Sequence, residues 1–417
     1  MIEDKVIQEI KDRLDIVEVV GDFVSLKKSG SSYKALSPFT TEKTPSFFVS
    51  PSKQIFKCFS TGKGGDAIEF LKEVDSMTYI EAIKYLGEKY GVEINENESN
   101  YPVNNEKESL LIVLNNTKDF FKDNLNTVEG KSIAISYFDH RNISKEMVEK
   151  FELGYSLDKW DSLYNHLTKN QFEDNQIINA GLILENNNKK YDRFRNRIIF
   201  PIHNLSGKVI AFGARIIKDE KNQPKYINSP ETSLYIKSKV LYGLYQSKNN
   251  IRKEDTCYLV EGYTDVISLF QIEINNVVSS SGTSLTNDQI KLISRYTKNI
   301  TILFDGDKAG IDASLRGMDL ILENDMNVKI VSFPEGEDPD SYSKKVGKDE
   351  FIEFVKLNET NLINYKINLL NTKYKEDPVK KSEMIFDIVR SISKIPNSIK
   401  RSVFLKEASN LLDINEQ

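Results

Sequence analysis

Apolar residues at Val6, Ile7, Ile10, Leu14, Val17 and Val20 recur every three or four positions, so the chain is expected to open with a helix that ends at Gly21-Asp22. Short β-like runs follow at Phe23–Leu26, Ser46–Val49 and Gln54–Phe59, split by Pro45, Pro51 and several glycines. Helical periodicity returns over Asp66–Lys72 and Tyr79–Tyr90. The Asn- and Glu-rich run of residues 93–108 is polar and reads as a linker, which makes 1–92 a small first domain.

Beyond the linker the pattern is mixed, with helical stretches near 108–125 and 144–151. Strand-like Ile198–Ile202 and Val209–Phe212 are joined by a turn at Ser206-Gly207. From residue 256 strands and helices alternate. Cys257–Val260, Asn276–Ser279, Ile300–Phe304 and Val328–Ser332 read as short apolar strands, with helices expected over 264–272, 286–296 and 309–324. That alternation predicts a mostly parallel sheet covered by helices. From 348 onward the pattern is helical with no further strand signal. The expected fold is thus a multidomain mixture of α/β and α+β. It comprises a ribbon-like domain (1–92), a linker (93–108), a basic α+β part (109–253), a parallel α/β domain (254–345) and a helical part (346–417).

The 417 residues are 39% hydrophobic and 29% charged, the signature of a globular chain. No apolar run has the length of a membrane span, and the charged first twenty residues are not a signal peptide, so a cytoplasmic location is expected. Two cysteines, Cys58 and Cys257, give no disulfide framework. The net charge of −5 hides a strong asymmetry. Residues 189–253 carry 15 Lys and Arg against 4 Asp and Glu, whereas 254–341 carry 6 against 16. A basic block followed by an acidic one suits a protein that holds a polyanion and also holds cations.

The acidic clusters fall just after predicted strands: Glu261-Gly262 after Val260, Asp305-Gly306-Asp307 after Phe304, and Asp338-Pro339-Asp340 in the loop after the last strand. Ligands of parallel sheets bind at the carboxyl ends of strands. Carboxylates gathered there repel one another unless a cation lies between them, and Mg²⁺ or Mn²⁺ takes oxygen ligands and bridges them to phosphates. A single Asp-Gly turn is commonplace; three carboxylate sites at three strand ends are not. The runs LVEGYTDVISL, ILFDGDKAG and EDPDS resemble a toprim domain, the metal-binding module of primases, topoisomerases and some nucleases. The resemblance implies that Glu261 is an acid/base or metal-shaping residue, that Asp305 and Asp307 bind metal and act in catalysis, and that Asp338 and Asp340 complete the site.

The preceding segment narrows the choice. RFRNRIIFPIHNLSGKVIAFGARI, PKYINSPET and LYGL closely resemble the catalytic core of DnaG-type primases, as does HRNISKEMVEKFELGY upstream. Arg193, Arg195 and Arg197 alternate along an apparently extended run, an arrangement expected to put three guanidiniums on one phosphate-tracking side. Tyr226 offers a ring for base stacking or a hydroxyl for a nucleotide. The resemblance implies that Arg141, Arg215, Lys225, Tyr226 and Lys237 line the template and nucleotide site, and the guanidinium run adds Arg195 and Arg197 to it. It implies RNA-primer synthesis on single-stranded DNA from NTPs. The alternatives are a non-catalytic single-stranded DNA-binding regulator and a toprim nuclease.

SPFTTEKTPSFFVSPSKQIFKCF and GKGGDAIEFL resemble the family's zinc ribbon, whose ligands follow Cys-x2-His-x17-Cys-x2-Cys. The spacing is kept, but the positions hold Ser37, Thr40, Cys58 and Thr61. Hydroxyls are poor zinc ligands, so zinc is expected to be absent. Lys27–Gly65 nevertheless holds seven Lys, one Glu and six aromatic residues, a composition suited to single-stranded nucleic acid as well as to a small core. The replicative helicase and a single-stranded DNA-binding protein are implied as partners. The family's helicase-docking domain is not expected in this chain, which stops at Gln417.

Overall fold

A computed structural model describes residues 4–40, 42, 44–75, 77, 79–92, 94, 106–186, 189–217, 223–282, 284–304, 318–373 and 378–412. The chain divides into two compact units, one formed by Met1–Ile112 with Asn204–Lys208 and the other by Val113–His203 with Val209–Gln417.

The first unit opens with two helices where one was expected, Asp4–Arg13 and Ile16–Gly21. The break lies at Asp15, whose carboxylate accepts from Val17 N (2.7 Å) and so starts a new helix. Five antiparallel strands follow in sequential order: β1 (Lys27–Ser29), β2 (Ser32–Ala35), β3 (Phe47–Ser50), β4 (Ile55–Cys58) and β5 (Gly64–Gly65). The strand expected over Phe23–Leu26 is absent, because Phe23 is buried against Phe70 and Tyr85 (centroids 5.8 and 5.9 Å). Pairing starts only at Lys27 and turns about Gly30, at φ +63°. Strand alternation sorts the aromatic residues. Phe47 and Phe56 point inward and pack with Phe39 and Phe70, whereas Phe48 and Phe59 meet edge-on at 5.6 Å and Phe59 is 69% exposed. The core thus takes half of the rings and leaves two outside. Helices Ala67–Asp75 and Tyr79–Tyr90 close the unit.

The second unit holds β6 (Gly154–Ser156), β7 (Ile183–Asn186), β8 (Lys189–Asp192), β9 (Arg197–His203), β10 (Val209–Ile216) and β11 (Tyr226–Asn228). β11-β10-β9-β6 is an antiparallel sheet, and β9 and β10 are buried along their whole length. β7 and β8 pair separately. A second sheet has the order β13-β12-β14-β15-β16, formed by β12 (Cys257–Val260), β13 (Val277–Ser279), β14 (Asn299–Phe304), β15 (Asn327–Ser332) and β16 (Thr360–Asn361). Its first four strands are parallel, as the alternation predicted. β16 adds an antiparallel edge that periodicity did not reveal, since two polar residues have no pattern to read. Cys257 is buried in β12, where desolvation pushes its thiol well above the usual range.

Helices Leu362–Lys373, Pro378–Ser393 and Ser398–Leu412 share a core of Ile363, Ile367, Ile388, Ile392, Ala408 and Leu412. Lys366 is buried there, with Nζ donating to Asp387 (2.7 Å) and Ser391 (2.6 Å) and paired with Asp319 (3.3 Å) of the helical stretch 318–323. An unpaired buried ammonium would be costly, so this network also ties the helical part to the parallel sheet's covering layer.

Glu152 links three elements. Its carboxylate meets Lys118 Nζ (3.0 Å) on one oxygen and His203 Nε2 (2.8 Å) on the other. Burial raises its carboxyl, but His203 and Lys118 outweigh burial and bring it down to about 2 from an ordinary 4.5. The ionised form therefore stabilises the fold above the unfolded-state value, and this contribution fades as pH falls toward 2. Wild type is expected to have a higher urea midpoint than Glu152→Gln above about pH 5, with the difference lost as pH drops through this window.

Candidate active site

The parallel sheet sets the acidic side. β12 and β14 are neighbours in register Cys257↔Ile300 and Leu259↔Ile302, and β15 lies on the far side of β14. The three acidic runs thus follow three adjacent strands, with Asp305 and Asp307 after the middle one. These two residues lie outside the described residues. Glu261 is exposed directly after β12, and its backbone carbonyl accepts from Ser279 Oγ (2.6 Å) at the end of β13. Asp265 accepts from Gly262 N (2.9 Å) and starts helix Tyr263–Gln271.

Asp338 caps helix Pro339–Asn358, accepting from Ser341 N (2.6 Å). Asp340 is buried, and both its oxygens are engaged. Oδ2 accepts from Arg141 Nη1 (3.1 Å), whereas Oδ1 meets Lys344 Nζ (2.6 Å) and the Ser268 hydroxyl. The structure brings Arg141 and Asp340 together across 199 positions of sequence, a pairing that spacing could not reveal.

The antiparallel sheet sets the basic side. Arg215 lies opposite Tyr226 across β10 and β11 and is buried, with its guanidinium carbon 5.1 Å from the Tyr137 ring centre and 5.7 Å from that of Tyr226. Its Nε and Nη1 have no hydrogen-bond partner among the described residues. Burial raises the Tyr226 hydroxyl, against the pull of Arg215 and a hydrogen bond with Thr264. Lys225 is exposed beside it.

The expected row of three guanidiniums is not formed. Asn196 takes a left-handed φ of +51°, which breaks the alternation between Arg195 and Arg197. Arg197 is buried, and its Nη1 donates to the Pro224 (3.1 Å) and Lys225 (3.4 Å) carbonyls, so it supports the segment that presents Lys225 and Tyr226. Arg195 stacks on the exposed Trp160 (3.6 Å) and pairs with Asp158 (3.4 Å). Burial lowers the guanidinium of Arg193.

Two contributors were not singled out from the sequence. With the Asn228 amide turned so that its nitrogen donates to the Tyr263 hydroxyl (2.6 Å), its oxygen accepts from Lys237 Nζ (3.1 Å). Tyr263 stacks on Phe200 (5.0 Å, 13°) and is buried. Asn228 is two residues past Tyr226 in PKYINSPET and Tyr263 two past Glu261, so their adjacency to candidate residues was the available signal. Opposite Asn228 on β10 stands Gly213, where a Cβ would lie 2.5 Å from the Tyr263 ring.

Residues 120–248 match the family model of the DNA primase catalytic core, N-terminal domain, 258–343 match a Toprim-like model, and 2–102 match the CHC2 zinc finger. The DNA primase of Clostridium acetobutylicum is 41% identical over 424 residues, covering 100% of this chain and 69% of that protein. The crystal structure of the Aquifex aeolicus primase zinc-binding and RNA polymerase domains is similar at TM-score 0.65 and 33% identity, over 99% of this chain and 98% of that one. A DnaG primase catalytic domain bound to single-stranded DNA is similar at TM-score 0.67 and 31% identity, over 75% and 98%.

The zinc-finger match overturns the expectation that the first domain is without zinc. That expectation weighed ligand identity at four positions; the match rests on the whole frame of 2–102. Within the frame, burial raises the Cys58 thiol, but hydrogen bonds with Ser37, Ser60 and Thr61 prevail and lower it to about 6. That favours the thiolate, the metal-binding form. Ser37 and Ser60 lie 3.2 and 3.3 Å from its sulfur. One thiol among hydroxyls departs from the usual structural donor set.

Gly213→Ala is expected to lower stability by about 1–3 kcal/mol, since its methyl would force the Tyr263 ring off the sheet. Denaturant unfolding measures the loss, and an unchanged midpoint would show that the ring does not depend on Gly213.

Proposed function

This chain belongs to the DnaG-type DNA primase family, and we infer from that membership and the site's layout that its basic sheet and acidic strand ends work as one nucleotidyl-transfer centre. It is an RNA-primer-synthesising nucleotidyltransferase of DNA replication, a function supported by primase relatives along the whole chain and by primase catalytic-core structures. The observation that carries the reading of the site is that Arg141 reaches Asp340 of the acidic block, while Tyr263 of that block reaches Asn228 and, through it, Lys237 of the basic block.

The reaction joins the 3′-hydroxyl of the growing strand to the α-phosphorus of an NTP and breaks the bond to pyrophosphate. We assign Asp305, Asp307 and Asp338 to metal binding, and the exposed Glu261 to shaping the metal site or taking the hydroxyl proton. Bound Mg²⁺ or Mn²⁺ would supply charge stabilisation at the reacting phosphate. Template binding by this chain is supported by the similar primase domain bound to single-stranded DNA. On the basic side, Arg215, Lys225, Tyr226 and Lys237 are assigned to template and nucleotide, with Arg195 on the Trp160 ring at the surface. Arg197 serves them from beneath. By family role the replicative helicase and single-stranded DNA-binding protein are partners, and the work is done in the cytoplasm. Among the described residues no helix is long and apolar enough to cross a membrane.

Asp305→Ala or Asp307→Ala is expected to abolish primer synthesis on a single-stranded template with labelled NTPs, while oligonucleotide binding is kept. Full synthesis at saturating Mg²⁺ would remove both from the metal site. Lys225→Ala separates two roles. A template phosphate contact predicts that the salt slope of binding falls by about one. A nucleotide contact predicts a raised KM with the slope unchanged. If both stay the same, Lys225 is only a solvated surface charge.

A further inference from the structure

Arg141 has a demanding local setting. It follows helix Ser136–His140 and precedes helix Lys145–Lys150, so the chain reverses between them within four residues. Asn142 makes that turn at φ +53°, closed by Ile143 N donating to Phe138 O (2.8 Å). A long side chain on such a turn has many rotamers to lose when it binds a phosphate.

Two side chains of one toprim helix counter this freedom. Gln271 ends helix Tyr263–Gln271, and its amide grips the turn from both sides, accepting from Ser144 N (2.8 Å) and donating to Asn142 O. Ser268, three residues earlier and so on the same face, donates to Asp340 Oδ1. The other oxygen of Asp340 receives Arg141 Nη1 at 3.1 Å, and Lys344 Nζ lies 2.6 Å from Oδ1. The backbone beside Arg141 and its guanidinium are therefore both held from the same helix. The carboxylate is 5% exposed and already serves two cations and a hydroxyl, which is the environment of a counter-charge.

We infer that Gln271 and Asp340 are positioning residues for Arg141: together they hold its guanidinium ready for a phosphate of the template or nucleotide. This rests on the reading of the basic face given above. Preorganisation of this kind lowers the cost of binding without adding a contact.

A double-mutant cycle on the full chain tests it, with oligonucleotide Kd and NTP KM as readouts. Gln271→Leu is expected to weaken whichever quantity Arg141→Ala weakens, by roughly three- to tenfold, the range given by one or two lost neutral hydrogen bonds. It should leave kcat within about twofold and have no further effect in the Arg141→Ala background. The same loss in both backgrounds, or no loss in either, would overturn the positioning role. Arg141→Ala with wild-type Kd and KM would overturn the reading of the basic face and the clamp with it. Asp340→Asn supplies the second arm. Its effect should likewise vanish in the Arg141→Ala background, with the Mg²⁺ requirement unchanged; a raised Mg²⁺ requirement there would make Asp340 a metal ligand and overturn its assignment as counter-charge.

Discussion

Carboxylates at the end of a parallel sheet repel one another, and the second unit is arranged around that cost. In sequence, three acidic runs follow the adjacent strands β12, β14 and β15. Repulsion of this kind is relieved by cations, whether metal ions or side chains. The fold supplies the second kind itself. Asp340 is withdrawn from solvent and given Arg141 and Lys344, whereas Glu261 stays exposed. These two carboxylates thus have different surroundings. One balances the Arg141 guanidinium, and the other is exposed.

Helix Tyr263–Gln271 sets the distance between the acidic and basic sides. It starts immediately after Glu261-Gly262, so its register is fixed by the end of β12. Tyr263 reaches Asn228 and Phe200, Thr264 reaches Tyr226, Ser268 reaches Asp340, and Gln271 reaches the turn after Arg141. Contact this close needs a sheet surface that admits a ring, and Gly213 leaves the space. Beneath the same surface, Arg197 spends its charge on backbone carbonyls of the segment leading into β11. A buried guanidinium with several donors is well suited to fixing such a stretch of chain.

The first unit shows how composition blurs two roles. Its aromatic residues are divided by strand alternation, with Phe47 and Phe56 in the core and Phe48 and Phe59 outside. The zinc-finger match of residues 2–102 extends over the turns and strands of the ribbon as well as over its four ligand positions.

The sequence by itself determined what depends on short range. Hydrophobic alternation fixed the parallel strands to within a residue at each end, and helix Tyr79–Tyr90 to the residue. Motif runs pointed to Glu261, Arg215 and Tyr226 as candidate site residues. Local backbone geometry already exceeded what pattern could reveal, since Asp15 splits the first helix and the left-handed Asn196 turns Arg197 inward. Only the tertiary structure decided which charges answer one another. Arg141 and Asp340, or Tyr263 and Asn228, meet through the packing of separate elements, and no periodicity of 2 or 3.6 residues carries information across such distances in sequence.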